Sequence, residues 1–359
     1  MHIPDGYLSP QTYAPAYGVM LPLWWRASAK LGKTLRQRQV PILALGAAFS
    51  FIIMMFNVPI IGGSTGHAVG GVLVAILLGP WAAMIAVTIA LMVQALMFGD
   101  GGLTTLGANC INMAVLMPFV GWWVYRLIAG NAPVDSRRHW IGAAAGGYLG
   151  LNVAALSTGL MFGIQPLIAH DASGHALYCP FGLKLAVPAM CASHLLVFGV
   201  VEAVVTGLVV RYLQRVEPSL LPSHGGKDGS RTTTGALPLP GERVGVRARP
   251  LGLLILALVL LCPLGLYLPA KLGAGSAWGE WSSGEIAKMA GYLPRGLAHT
   301  ESTWKAPMPD YTLAGKESAP LMTQSLIYIL SAIIGAALVV LSAMLLRRLV
   351  WRKKIAGDS

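Results

Sequence analysis

The chain has 359 residues, 55% hydrophobic and only 11% charged, with a net charge of +12. Soluble domains run near a quarter charged, so this composition excludes a soluble globular protein. The positive charge sits in short loops between apolar runs, with no basic helix or aromatic-basic platform, which excludes a nucleic-acid binder.

The chain opens MHIPDGYLSP, with Asp5 ahead of the first apolar run and Arg26, Lys30, Lys33, Arg36 and Arg38 behind it. A secretory signal carries its charges in the reverse order. Ala27-Ser28-Ala29 is therefore expected to stay uncut, within a helix whose N-terminus lies outside. Ser9 is the expected N-cap and Pro10 the first helical residue. Nine membrane segments are predicted, at 11–28, 40–58, 66–79, 81–98, 105–127, 140–163, 182–211, 251–269 and 323–347. A bilayer core takes about 20 apolar residues per helix. The third segment is short and begins in Gly-rich backbone, which suits a protein-lined cavity. Gly79-Pro80 stops it and starts the fourth.

Basic residues set the orientation. Five lie at 26–38, Arg126, Arg137 and Arg138 between the fifth and sixth segments, seven from Arg211 to Arg249, and five from Arg347 to Lys354. The connections 59–65, 99–104 and 164–181 hold no Lys or Arg. A multi-pass membrane protein follows, with its N-terminus outside and its C-terminus cytoplasmic. The Gly-, Pro-, Ser- and Arg-rich stretch 214–250 reads as a cytoplasmic linker. It separates a seven-helix unit, 1–213, from a two-helix region, 251–359, whose outer loop, 270–322, carries Trp278, Trp281 and Trp304 as expected interfacial anchors. The fold class is an all-α integral membrane protein, seven helices plus two.

Candidate chemistry concentrates at the N-terminus. The Met1 amine, the deprotonated His2 amide nitrogen and His2 Nδ1 can close five- and six-membered chelate rings in one plane. Ni(II) and Cu(II) favour such square-planar nitrogen sites, whereas Zn(II) prefers a tetrahedron. Pro4-Asp5-Gly6 turns the chain back toward the protein. His67, in IGGSTGHAVGG, is the candidate fourth ligand, because glycines around it permit close backbone approach. A hydrogen-bonded structural role for His67, and an exposed end at His2, are the alternatives.

MHIPDGYLSP, FNVPIIGGSTGHAVGGVLVAILLGPWAA and QALMFGDGGLTTLGAN closely resemble the CbiM/NikM family, the substrate-capture subunits of energy-coupling factor (ECF) importers for nickel and cobalt. The resemblance covers most of 1–213. Residues 251–359 are similar to the small companion subunit fused in some systems, and APMPDYTLAG resembles its PDGL-type loop. The resemblance implies a metal held by Met1, His2 and His67. It implies nickel over cobalt, since MHIPDG is the nickel-type opening; cobalt uptake for cobalamin biosynthesis is the alternative. It also implies two kinds of partner, a transmembrane coupling (T) subunit and cytoplasmic ATPases. The chain has no GxxxxGK[ST] loop of its own, so it should not hydrolyse ATP.

Other residues carry weaker expectations. Asn57, Asn109 and Asn112 are possible second-shell residues that orient the imidazoles, with interhelical hydrogen bonding as the alternative. Gln94 is placed with them. Glu202, an acid inside the seventh segment, is functional by default in lipid but has no basic partner nearby in sequence to assign it, with a structural hydrogen bond as the alternative. The spacing of His170, Asp171 and His175 in HDASGH could bind or funnel a metal, and His299 could recruit one in the same way, but solvated loops are the expected reading. The four cysteines and the methionines read as packing. Ala44 with Ala48, and Gly142, Gly146 and Gly150, form small-residue faces for docking a partner or for internal packing. The loop 270–322 is expected to order the N-terminal loop or aid metal loading. A metal-dependent enzyme would need an open coordination position and a base. A secondary transporter would need several intramembrane charges, and only Glu202 qualifies.

Overall fold

A computed structural model describes residues 1–34, 39–60, 63–222, 244–275 and 277–357. Most of the expected linker therefore lies outside the described residues, as do Arg36 and Arg38.

Helix α1, Pro10–Thr34, begins at the expected proline. Ser9 caps it through its carbonyl, which accepts from Thr12 and Tyr13; its buried hydroxyl has no partner, and its N–H donates to Gln165 Oε1. Helix α2, Val40–Met54, is apolar all round and almost wholly buried, the pattern of a central helix. A short antiparallel hairpin follows, β1, Val58–Pro59, against β2, Thr65–Gly66. The chain is thus mostly, not entirely, helical. Helix α3, Gly71–Leu78, is only eight residues long, because hairpin and turn consume the first five residues of predicted segment 66–79. It packs in protein between α4, Pro80–Phe98, and α5, Leu106–Ala129. Helices α6, Arg137–Ile168, and α7, Leu183–Val216, complete the first unit.

The companion region supplies α8, Val244–Leu261, then α9, Leu264–Leu272. Two short helices follow, α10, Ser283–Ala290, and α11, Arg295–Thr300, and the chain closes with α12, Leu321–Gly357. Helices α8 and α12 pack against α2, which explains why α2 has no lipid-facing side. Among the described residues, six helices are long and apolar enough to cross a membrane: α4 to α7, the 249–272 stretch and 321–346. Helix α2, at 15 residues, and α3, at eight, are apolar but shorter than these six.

The small-residue faces serve internal packing. A side chain on Gly146 or Gly150 would run into the main chain of Gly121 or Met117 on α5, and Ala44 and Ala48 are buried. Trp278 and Trp281 pack with Phe162 and Phe181 in one aromatic cluster.

Three π-helical turns interrupt the long helices, at Gln94–Phe98, Cys110–Leu116 and His194–Phe198. Such turns re-aim side chains and gather at functional sites. The first two abut Asp100 and Asn109. The third sends Phe198 against Gly66, where no side chain would fit.

Candidate metal centre

Residues 1–9 lie inside the fold at one end of the bundle. Ile3 is their clamp. Its N–H donates to Asn109 Oδ1 at 2.8 Å. Its carbonyl accepts from Gly102 N at 2.9 Å, from Asn109 Nδ2 at 3.1 Å and from the Thr105 hydroxyl. The Asp5 carboxylate then accepts from Leu103 N at 3.1 Å and from Thr104 N at 2.7 Å. A side chain at 102 would strike the Asp5 main chain, so only glycine lets the two segments lie this close. Met1 and His2 are consequently 5% and 2% exposed.

The hairpin delivers His67 to the same place. His67 is 6% exposed, and its Nε2 stands 3.3 Å from His2 Nδ1. Its Nδ1 donates to Ala68 O at 3.0 Å, which leaves the Nε2 lone pair facing His2. Nitrogens on adjacent corners of a square plane with bonds of about 2.0 Å lie about 2.8 Å apart. The two imidazoles are therefore within a small ring movement of sharing one ion. Among the described residues, no three His, Cys, Asp or Glu side chains gather into a metal-holding group. The candidate centre instead has two imidazoles beside the buried N-terminal amine.

Carboxylates flank those nitrogens. Asp100 Oδ1 is 2.8 Å from His2 Nδ1, and Glu280 Oε1 is 3.8 Å from the Met1 amine. Tyr311 donates its hydroxyl to Asp100 Oδ2 at 2.5 Å, and Gln94 Nε2 donates to both. Burial pushes Asp100 upward, but His2 beside it, with hydrogen bonds from His2 and Tyr311, outweighs that and holds it well below the usual carboxylate range. Burial drives His67 well below the ordinary imidazole value, helped by the N-terminal charge and His2, so it stays neutral. Burial raises Glu280. The companion region thus reaches the centre through Glu280 and Tyr311, and Tyr7 donates to Trp281 O at 2.7 Å.

The structure brings Met1, His2 and His67 together, with Asn109 gripping Ile3. Asn57 is half-buried; its N–H donates to Met55 O at 3.1 Å and lies against Gly265 of α9. Asn112 faces elsewhere, donating to Thr158 Oγ1 at 2.9 Å. His170, Asp171 and His175 form a turn in which Asp171 accepts from the Ser173 and His175 amides, and His175 stacks on Tyr292. Asp100, Glu280 and Tyr311 carry no flag in the sequence reading. For Asp100 a signal exists, an acid ringed by glycines in GDGG at a helix end. Nothing marks Glu280 among the other acids of its loop.

Replacing Asn109 with Ala should strip the buried Ile3 N–H of its partner, at a cost of about 1–3 kcal/mol. Hydrogen exchange across residues 1–8 is expected to accelerate in Asn109→Ala and to stay unchanged in Asn112→Ala.

Two imidazoles buried beside the N-terminus, in a chain with six apolar helices of membrane-spanning length, belong to a membrane component for transition-metal transport rather than an enzyme. The chain belongs to the CbiM family, described as the cobalt uptake substrate-specific transmembrane region, which matches residues 2–220; a PDGLE domain matches 247–352. It is 45% identical to a fused nickel transport protein NikMN of Rhodobacter capsulatus, over 95% of each chain. It is 43% identical to a probable fused nickel transport protein LarMN of Lactiplantibacillus plantarum, over 93% of each. A crystal structure of a truncated transition metal transporter superposes with a TM-score of 0.56 at 53% identity, covering 59% of this chain and 98% of the other.

Proposed function

We propose that this chain is the substrate-capture component of an ECF-type importer, taking nickel in preference to cobalt from the outer face of the membrane. Four nitrogens hold the ion: the Met1 amine, the His2 amide, His2 Nδ1 and His67 Nε2. The observation that carries this reading is the approach of His67 Nε2 to His2 Nδ1 at 3.3 Å beside a buried, clamped N-terminus. A planar nitrogen set suits nickel's coordination preference. The two full-length relatives named as nickel transporters add support for the metal. Cobalt is the second reading, supported by the description of the family that spans residues 2–220. The N-terminus lies outside, in keeping with the basic loops. Driving force comes from a coupling subunit and cytoplasmic ATPases, since the sequence has no phosphate-binding loop.

Vesicle uptake tests this directly. The chain alone is expected to bind nickel without accumulating it, whereas the chain with a coupling subunit and ATPases accumulates nickel when ATP is present. ATP-independent accumulation by the chain alone would overturn the division of labour. Excess cobalt that competes as well as unlabelled nickel would overturn the preference.

A further inference from the structure

Glu202 lies in the middle of α7, fully buried, and plays no part in the ligand set. Its Oε2 accepts from Val69 N at 2.8 Å and from Gly70 N at 3.2 Å, while Oε1 accepts from the Thr206 hydroxyl at 3.1 Å. Gly70 adopts a left-handed φ of 71°, which suits glycine and lets two successive N–H groups converge on one oxygen as α3 begins. The Val69 N–H belongs to the same peptide unit as the Ala68 carbonyl. That carbonyl accepts from His67 Nδ1 at 3.0 Å. One planar peptide is thus held at both ends, its N–H by Glu202 and its C=O by the His67 ring.

We propose that Glu202 is a positioning residue for His67, acting through the Ala68–Val69 peptide to hold the ring in the tautomer that presents Nε2. A ligating histidine ordinarily donates its second ring N–H to a carboxylate or carbonyl, which fixes orientation and raises ligand basicity. Here carbonyl and carboxylate act in series. An acceptor on the peptide N–H polarises that peptide and strengthens its carbonyl as the acceptor for His67. The peptide plane cannot rotate toward another partner while Glu202 holds it, so the His67 Nδ1 proton has a fixed home. A carboxylate buried in a membrane helix is costly without such a task. This inference rests on the His67 ligand role proposed above.

The test uses the full chain in detergent, with nickel(II) as the probe, in wild type, Glu202→Gln, His67→Ala and the double variant. Glutamine keeps the shape but is a weaker acceptor of the peptide N–H. Nickel affinity, read by chelator competition, is expected to fall about tenfold or more in Glu202→Gln. The same change should add nothing in the His67→Ala background, because the relay has then lost its end point. Nitrogen-15 spectra of the His67 ring, identified by its absence in His67→Ala, should show a proton on Nδ1 in wild type and a growing share on Nε2 in Glu202→Gln. An equal loss of affinity in both backgrounds would mean that Glu202 serves only general packing and would overturn the proposal. So would an unchanged tautomer with unchanged affinity. If Glu202→Gln does not fold, Glu202→Asp, which withdraws the carboxylate from Val69, is read the same way. If wild type binds no nickel at Met1-His2, the capture reading fails, and the ring spectra still decide the relay.

Discussion

Two extra residues placed before Met1 are expected to abolish nickel binding and uptake. The extension acts twice. It converts the Met1 amine into a peptide amide, which removes a basic lone pair and one arm of the chelate. It also inserts chain where none fits well: Met1 is 5% exposed, and its amine stands 3.8 Å from Glu280 of the companion loop. Loss of an inner ligand together with a chelate ring should weaken binding about a thousandfold or more, ~4 kcal/mol. Elemental analysis should find no bound nickel, and the visible band of a square-planar nickel–nitrogen centre should vanish. The Ile3 clamp supplies the control. If Asn109 and Gly102 still hold Ile3, hydrogen exchange at residues 3–8 stays slow in the extended chain, and the loss belongs to the ligand rather than to unfolding. Nickel retained with an unchanged band would remove the Met1 amine from the ligand set.

Much of the scaffold was legible because long apolar runs report themselves. The expected segments 81–98, 105–127, 140–163 and 182–211 fall within α4 to α7, differing by a few residues at their ends. The third segment was legible in part: its shortness and glycines pointed to a protein-lined cavity, but not to where its helix starts, because the glycine run gives no boundary. Only the packing of α3 among α4, α5 and α2 makes a half-helix tolerable there. Of the centre, Met1, His2 and His67 stand out by residue type and motif. The clamp does not, since Ile3 acts through its main chain, which any residue type shares. Asn109 was flagged with Asn57 and Asn112, yet only Asn109 reaches the terminal segment. Sequence distance hides the rest: Asp100 and Tyr311 are 211 residues apart and meet only because the companion region folds back over α4. Glu202 shows the same limit. Thr206, four residues on, is a local partner, but the other two partners of Glu202 are main-chain amides 132 and 133 residues away.

Nickel affinity is expected to rise about a hundredfold per pH unit over the range in which the amine is protonated. Metal ligands must be deprotonated, so binding releases protons and strengthens as pH rises. The protons can be counted by nitrogen. His67 contributes none, because burial already keeps its ring neutral and its Nε2 carries a free lone pair. The Met1 ammonium contributes one and the His2 amide a second. In the neutral His2 ring, Nδ1 donates to Asp100 while the buried Nε2 has no hydrogen-bond partner, so the proton can move to Nε2 as Nδ1 turns to the metal. Two protons give log K a slope of two against pH, which is ~2.7 kcal/mol per unit. The sign is fixed: acid weakens capture and alkali strengthens it. Calorimetric titrations in two buffers of different ionisation enthalpy count the protons directly. A count near two supports a ligated amide nitrogen, while a count near one leaves the amide protonated and reduces the set to the amine and two imidazoles.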